Sequence, residues 1–324
     1  MKRDKSLDVA KGIAIILMVY GHLKYTEYNM DTLYSWIYSF HMPFFVYITG
    51  WLTQARTEKK LVRTWKKAVG IFVPYVIWNV IGYIILISLG LVRETQYEFT
   101  RGLILGNNLN SNLPTWYLWA YFLISLFAIY ILPLIDDVKK LVAVDVIAII
   151  LVFWIVTLPE MQIYFRWKAT LALMPFFITG YLLKKIKFQL PWWMIPVCLY
   201  IGFKLGRVNA VRSQRYVTVG NGDICVPYLY LLSAFLTTLA VVEICKYIAK
   251  IPGSELIAVF GKHTLIILCT HWLLGKMFAT QMEYGVELFT YVFLIECVFV
   301  GGMELYAVLR QRGEMLREEK EAKI

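Results

Sequence analysis

The chain has 324 residues, of which 59% are hydrophobic and 17% charged, with a mean hydropathy of +0.60. Soluble domains carry about 25% charged residues, so this composition excludes a disordered chain, a collagen-like chain and an ordinary soluble globule. A net charge of +11 would raise nucleic acid in a soluble protein. In a chain this apolar the basic residues read as loop charges that set membrane topology, and no nucleic-acid partner is expected.

The apolar residues run in long blocks and do not alternate, which points to helices and away from a transmembrane β-barrel. At about 20 residues per span, the blocks give ten spans, near 7–27, 33–54, 68–91, 115–134, 139–158, 169–186, 191–206, 226–247, 255–276 and 285–309. The expected fold is an all-α, polytopic bundle in a cell membrane, with 1–324 as one integral membrane domain. With the N-terminus inside, basic residues favour the inner segments by about two to one, which places both termini in the cytoplasm. Two outer loops, near 92–114 and 207–225, are long. Arg207, Arg212 and Arg215 in the second read as solvated charge. The five cysteines are far apart and form no C-x-x-C pair, so neither a disulfide framework nor a thiolate metal site is expected.

All four histidines, His22, His41, His263 and His271, fall within predicted spans. Ionisable groups there are costly and usually face an interior cavity. In the first span Lys11 and His22 are eleven residues apart, which sets them about 20° from the same face and about 16 Å apart along the axis. Asp8, one turn before Lys11, is placed to pair with it. A cation at the membrane edge and an imidazole deeper on one stripe suit a long anionic ligand entering from the cytoplasm. An ordinary flanking lysine that reaches back to the interface is the other reading. In the second span Pro43 follows His41 by two residues and removes a backbone hydrogen bond beside it.

These stretches resemble a known family. Leu7-Asp8-Val9-Ala10-Lys11-Gly12, running on to Tyr20-Gly21-His22, is similar to the first-helix signature of the acyltransferase 3 family. Ser39-Phe40-His41-Met42-Pro43-Phe44-Phe45, running to Thr49-Gly50, resembles its second-helix signature, and Phe260-Gly261-Lys262-His263-Thr264-Leu265, leading to Thr270-His271, resembles a late segment. The nearest branch in pattern contains fucose 4-O-acetylase-like and exopolysaccharide O-acetyltransferases.

The resemblance implies a bacterial membrane O-acyltransferase. It would take an acetyl group from cytoplasmic acetyl-CoA and place it on a hydroxyl of a cell-envelope carbohydrate or lipid-linked glycan. Family members carry an Arg, ten residues, then a His in the first helix; here the pair is Lys11 and His22, which keeps the charge and gives up bidentate phosphate recognition. The family's basic motif maps onto Arg63 and Lys66. Some members add an SGNH hydrolase-like domain, and none is expected in this chain.

Sugar O-acetylation needs a base for the hydroxyl proton and stabilisation of the developing oxyanion. On this reading His22 is the base, with His41 as second candidate or as donor to the carbonyl oxygen. Asp8 holds Lys11, and Lys11, Arg63, Lys66 and Lys67 meet the CoA phosphates. Trp116 and Tyr117, near Trp119 and Tyr121, stack on the acceptor sugar or belong to the interfacial aromatic belt. His271 joins the acceptor side. Direct transfer and an acyl-histidine relay both remain open. Asp145, Glu243, Glu296 and Glu304 receive no role, although Glu296 and Glu304 are spaced to share a cavity. A multi-pass transporter or flippase for a glycolipid or metabolite is the rival from another class.

Overall fold

The computed structural model describes residues 3–23, 32–107, 109–158 and 164–321. Among these the chain is helical and contains no strand, only an isolated bridge between Thr218 and Asp223. The α-helices are α1 (Lys5–Leu23), α2 (Thr32–Leu52), α3 (Lys60–Ser88), α4 (Gln96–Leu105), α5 (Trp116–Tyr130) and α6 (Val138–Ile155). They continue with α7 (Trp167–Lys185), α8 (Met194–Ser213), α9 (Pro227–Ile248), α10 (Ser254–Lys262), α11 (Thr264–Phe278) and α12 (Val286–Glu321).

The fold is that of an all-α, polytopic membrane protein. Among the described residues, six helical segments are long and apolar enough to cross a membrane, or seven when α10 and α11 are counted as one bent span. Of the ten expected spans, α2, α6 and α7 fall short of that standard: α6 carries Lys139, Lys140 and Asp145 within its 18 residues, and the other two fall short for a different physical reason. Helices α2 and α7 carry polar residues such as Tyr34, Ser39, His41, Lys168 and Thr170, but most of their surface is covered by other helices. A helix shielded from lipid need not be apolar all round. The lipid-facing work falls to α3, α6, α8 and α12, which expose large apolar side chains such as Ile84, Ile150, Tyr200 and Val298.

Small residues set the closest crossings. A Cβ on Gly12 would strike the Ile257 carbonyl, and one on Gly261 would strike that of Asp8, so α1 and α10 meet backbone to backbone. Gly50 and Gly180 do the same for α2 and α7, against Phe177 and Tyr47. Tight packing of this kind is a principal source of helix association in lipid, where burial from water contributes nothing extra. Gly21 lets α2 approach α1, its missing Cβ lying 3.2 Å from the Ile37 side chain.

The bundle has two distinct ends. One gathers the starts of α1, α3 and α10 with the ends of α2, α7 and α9, and carries Lys5 beside Glu255, Lys184 on the Thr53 carbonyl and Lys185 on the Asp136 carbonyl. We call this the basic end. The opposite end is capped by the segments around 92–115, 164–166 and 214–226. There Arg166 donates to the carbonyls of Gly106 (2.6 Å) and Gly220 (2.8 Å). Burial lowers the Arg166 guanidinium to about 10, so it stays protonated at neutral pH as a buried clamp.

Several expectations need correction. The described first helix ends at Leu23, and residues 24–27 lie outside the described ones, as does Asn108. The loop near 92–114 contains α4, started by a capping box between Thr95 and Glu98. The seventh span extends to Ser213, which puts Arg207 and Arg212 on a helix; Arg212 donates to the Tyr228 hydroxyl, and Arg215 pairs with Asp223. The ninth span is not straight but turns by 82° at His263, between α10 and α11.

Candidate active site

The site is built on α1, α2 and α11, with α3 and α5 closing one side. Near its start α1 presents Asp8, Lys11 and the residues toward Met18; near its end it presents His22. Asp8 is buried and bonds both Arg3 and Lys11, the latter at 2.8 Å. Helical spacing brings Asp8 and Lys11 together, and Arg3 joins them from the preceding turn.

Two cavities penetrate the bundle from its two ends. The inner one, at the basic end, has a volume of about 560 Å³. Lys11, Lys66 and Lys67 line it, and no carboxylate does. Its deeper wall is apolar, with Ile15, Met18, Phe45 and Met42. Lys67 donates to the Tyr121 hydroxyl at 2.9 Å and lies over the same ring at 4.9 Å. The N-terminus of α11, created by the turn at His263, contributes Thr264 and Leu265 to the wall. A helix N-terminus carries partial positive charge and favours anions. Three ammonium groups and a helix start around an acid-free opening are suited to a polyanion.

The outer cavity has a volume of about 480 Å³. His22 and His41 line it together with the rings of Tyr34, Tyr38, Trp116 and Trp272. The segment 217–221, held by Arg166 through Gly220, forms part of its rim. Met42 lines both cavities and is their shared partition.

Three imidazoles cluster beside the outer cavity, His22 and His41 lining it and His271 lying against His22. His22 Nδ1 lies 2.8 Å from His271 Nε2, and the two ring planes are 25° apart with centroids 5.1 Å apart. The His41 ring lies edge-on to His22 with centroids 6.0 Å apart. His41 Nδ1 bonds the Ile37 carbonyl at 2.7 Å, and His271 Nδ1 bonds the Ile267 carbonyl at 2.6 Å. A carbonyl only accepts, so both Nδ1 atoms carry protons. Neutral His41 therefore offers a lone pair at Nε2. That removes the donor role expected for it while the ring is neutral.

The other expected residues separate. Arg63 does not line the inner cavity; its guanidinium donates to the Arg56 carbonyl at 2.7 Å. Trp116 and Tyr117, neighbours in the chain, line different cavities, Trp116 the outer and Tyr117 the inner. His271 is fully buried behind His22 and lines neither of these two cavities. His263 sits at the break and bonds Glu304 at 2.9 Å. Glu296 bonds Thr270 in the interior while Glu304 takes His263 and Lys262, so these two glutamates share no cavity. Asp145 bonds Thr179, and Glu243 pairs with Lys246. Residues that sequence reasoning passed over are Met42, Tyr34, Tyr38, Trp272 and the α11 start.

Comparison with known proteins agrees with this architecture. A family model described as an acyltransferase domain matches residues 4–303. Nodulation protein NolL of Mesorhizobium japonicum is 34% identical over 85 residues, a match covering 24% of this chain and 23% of that protein. The chain thus aligns with less than a quarter of that relative's length. No solved structure matches.

Proposed function

This chain belongs to the acyltransferase 3 family of membrane acyltransferases, and from that premise we propose that it transfers an acetyl group from acetyl-CoA to a carbohydrate hydroxyl of the cell envelope. Family membership displaces the transporter reading. The observation that carries the proposal is the pair of cavities meeting at Met42, one mouthed by lysines and one lined by histidines and aromatic rings.

The donor enters at the basic end, which we assign to the cytoplasm on its charge. Its phosphates meet Lys11, Lys66, Lys67 and the start of α11. Charge-assisted hydrogen bonds of this kind are roughly twice as strong as neutral ones. Asp8 keeps the Lys11 ammonium in position. The pantetheine arm follows the apolar wall of Ile15, Met18 and Phe45 and carries the thioester past Met42. An unbranched thioether side chain can re-pack to let it through.

The acceptor occupies the outer cavity, its ring against Trp116 and its hydroxyl at His22. As the hydroxyl oxygen bonds to the thioester carbonyl carbon, its O–H bond breaks and the proton passes to the imidazole. The C–S bond then breaks, and the CoA thiolate takes that proton back. General-base assistance of this kind contributes about 10²–10⁴-fold.

Acetyl-CoA titrated into the detergent-purified protein tests the reading. Saturable binding that weakens in Lys11→Ala and survives in His22→Ala is expected. A folded wild type that does not bind acetyl-CoA overturns the donor assignment.

A further inference from the structure

His271 is the most completely buried of the imidazoles, yet it touches neither cavity. It also lies 249 residues from the histidine it bonds. Its Nδ1 is committed to the Ile267 carbonyl, one turn back on the same helix. That acceptor fixes the proton on Nδ1 and leaves Nε2 of neutral His271 with a bare lone pair. The only partner that satisfies this lone pair from His22, 2.8 Å away, is an N–H. His22 Nδ1 therefore carries its proton, and His22 Nε2 is left unprotonated.

We infer that His271 is a positioning residue that fixes His22 as the Nδ1–H tautomer, so that the basic Nε2 is the nitrogen presented to the outer cavity. The inference rests on the reading of His22 as the base. The chain of bonds runs from the Ile267 carbonyl through His271 to His22 and ends in a lone pair. When His22 takes a proton at Nε2, its Nδ1–H still donates to His271, which stabilises the imidazolium. In serine proteases an aspartate performs the equivalent service, and losing the correct tautomer costs about 10⁴-fold. A neutral imidazole in that place avoids leaving a second charge inside the membrane, where a buried charge is expensive.

The surroundings hold the geometry. Gly21 allows the Ile37 and Tyr38 side chains of α2 to close on α1 just before His22. Gly275, one turn beyond His271, makes room for Leu23. The Tyr38 and Trp272 rings stand 5.6 and 5.9 Å from that of His22. The imidazole is thus walled on several sides and has one nitrogen left for chemistry.

The test is nitrogen-15 NMR of the full chain labelled at histidine and held in detergent. The sequence contains only four histidines, and the His22 signals are those lost in His22→Gln. Wild-type His22 is expected with a protonated Nδ1 and a bare Nε2. His271→Gln, whose side-chain carbonyl still accepts, retains that pattern, and His271→Leu loses it. Acetyl transfer follows the spectra, falling about 10³-fold in His271→Leu and staying within about tenfold in His271→Gln. Wild-type His22 protonated at Nε2, an unchanged tautomer in His271→Leu, or equal loss of activity in both variants would overturn the inference. Should His271→Leu fail to fold, the wild-type and His271→Gln spectra still decide it. Failure of the acyltransferase reading looks different: the spectra stand as expected while acetyl-CoA does not bind.

Discussion

The two cavities are similar in size, about 560 and 480 Å³, and opposite in chemistry. The inner one is lined by three lysines and a helix start, a set suited to a polyanion, and its deeper wall is apolar. The outer one has aromatic walls and gathers the imidazoles that can move a proton. The α1 helix serves both, with Lys11 in the first and His22 in the second. On the proposed reading, binding and chemistry are therefore separable by mutation in a way that a single pocket would not allow: loss at the inner cavity is expected to change donor affinity, and loss at the outer one turnover.

The largest effect is expected at His22. His22→Ala should lower acetyl transfer about 10³-fold, read as CoA release from acetyl-CoA in membranes that hold the acceptor. Its acetyl-CoA dissociation constant, by calorimetry, should stay within about twofold, since His22 does not line the donor cavity. Wild-type turnover would remove His22 from the chemistry, and a lost donor site would erase the division between cavities. Next comes the partition. Met42→Trp fills the shared wall with a rigid indole and should cost about 10²-fold in turnover, the scale of a misplaced reacting group, while donor affinity is retained. Unchanged turnover would mean that the thioester reaches His22 by another route.

Much of this was legible in the chain and some of it was not, for reasons that lie in particular residues. Lys11, His22 and Asp8 sit on one regular helix, so a period of 3.6 residues was enough to group them. The 255–276 block reads as one straight span although Gly261-Lys262-His263-Thr264 interrupts its apolar residues; beside that interruption Gly261 lies against the Asp8 backbone, a tertiary contact that leaves no local pattern. Helix α4 was missed in an asparagine-rich stretch although Thr95 and Glu98, three residues apart, spell its capping box. The pairing of His22 with His271 joins α1 to α11 and leaves no local trace.

A smaller effect separates the basic residues from one another. Lys66→Ala should raise the acetyl-CoA dissociation constant about tenfold, the equivalent of one charge-assisted hydrogen bond. Arg63→Ala should change it by less than about threefold, because its guanidinium is turned to the Arg56 carbonyl and away from the cavity. Equal effects would place the donor phosphates outside the inner cavity and across the whole basic surface.

The smallest effect gives the sharpest comparison, because it contrasts two adjacent residues. Trp116 and Tyr117 begin the same helix, but successive side chains on a helix point about 100° apart, and here that angle spans the partition. Trp116 packs on Gly220 and faces the outer cavity, while Tyr117 stacks on Tyr121 and faces the inner one. Trp116→Ala should raise the acceptor KM about fivefold, within the range of one lost ring contact, and leave donor affinity unchanged. Tyr117→Phe should do neither to the acceptor and change donor affinity by no more than about threefold, since the ring that lines the wall remains. If Trp116→Ala instead weakened acetyl-CoA binding, the aromatic cavity would be part of the donor path, and the assignment of one substrate to each end of the bundle would fall.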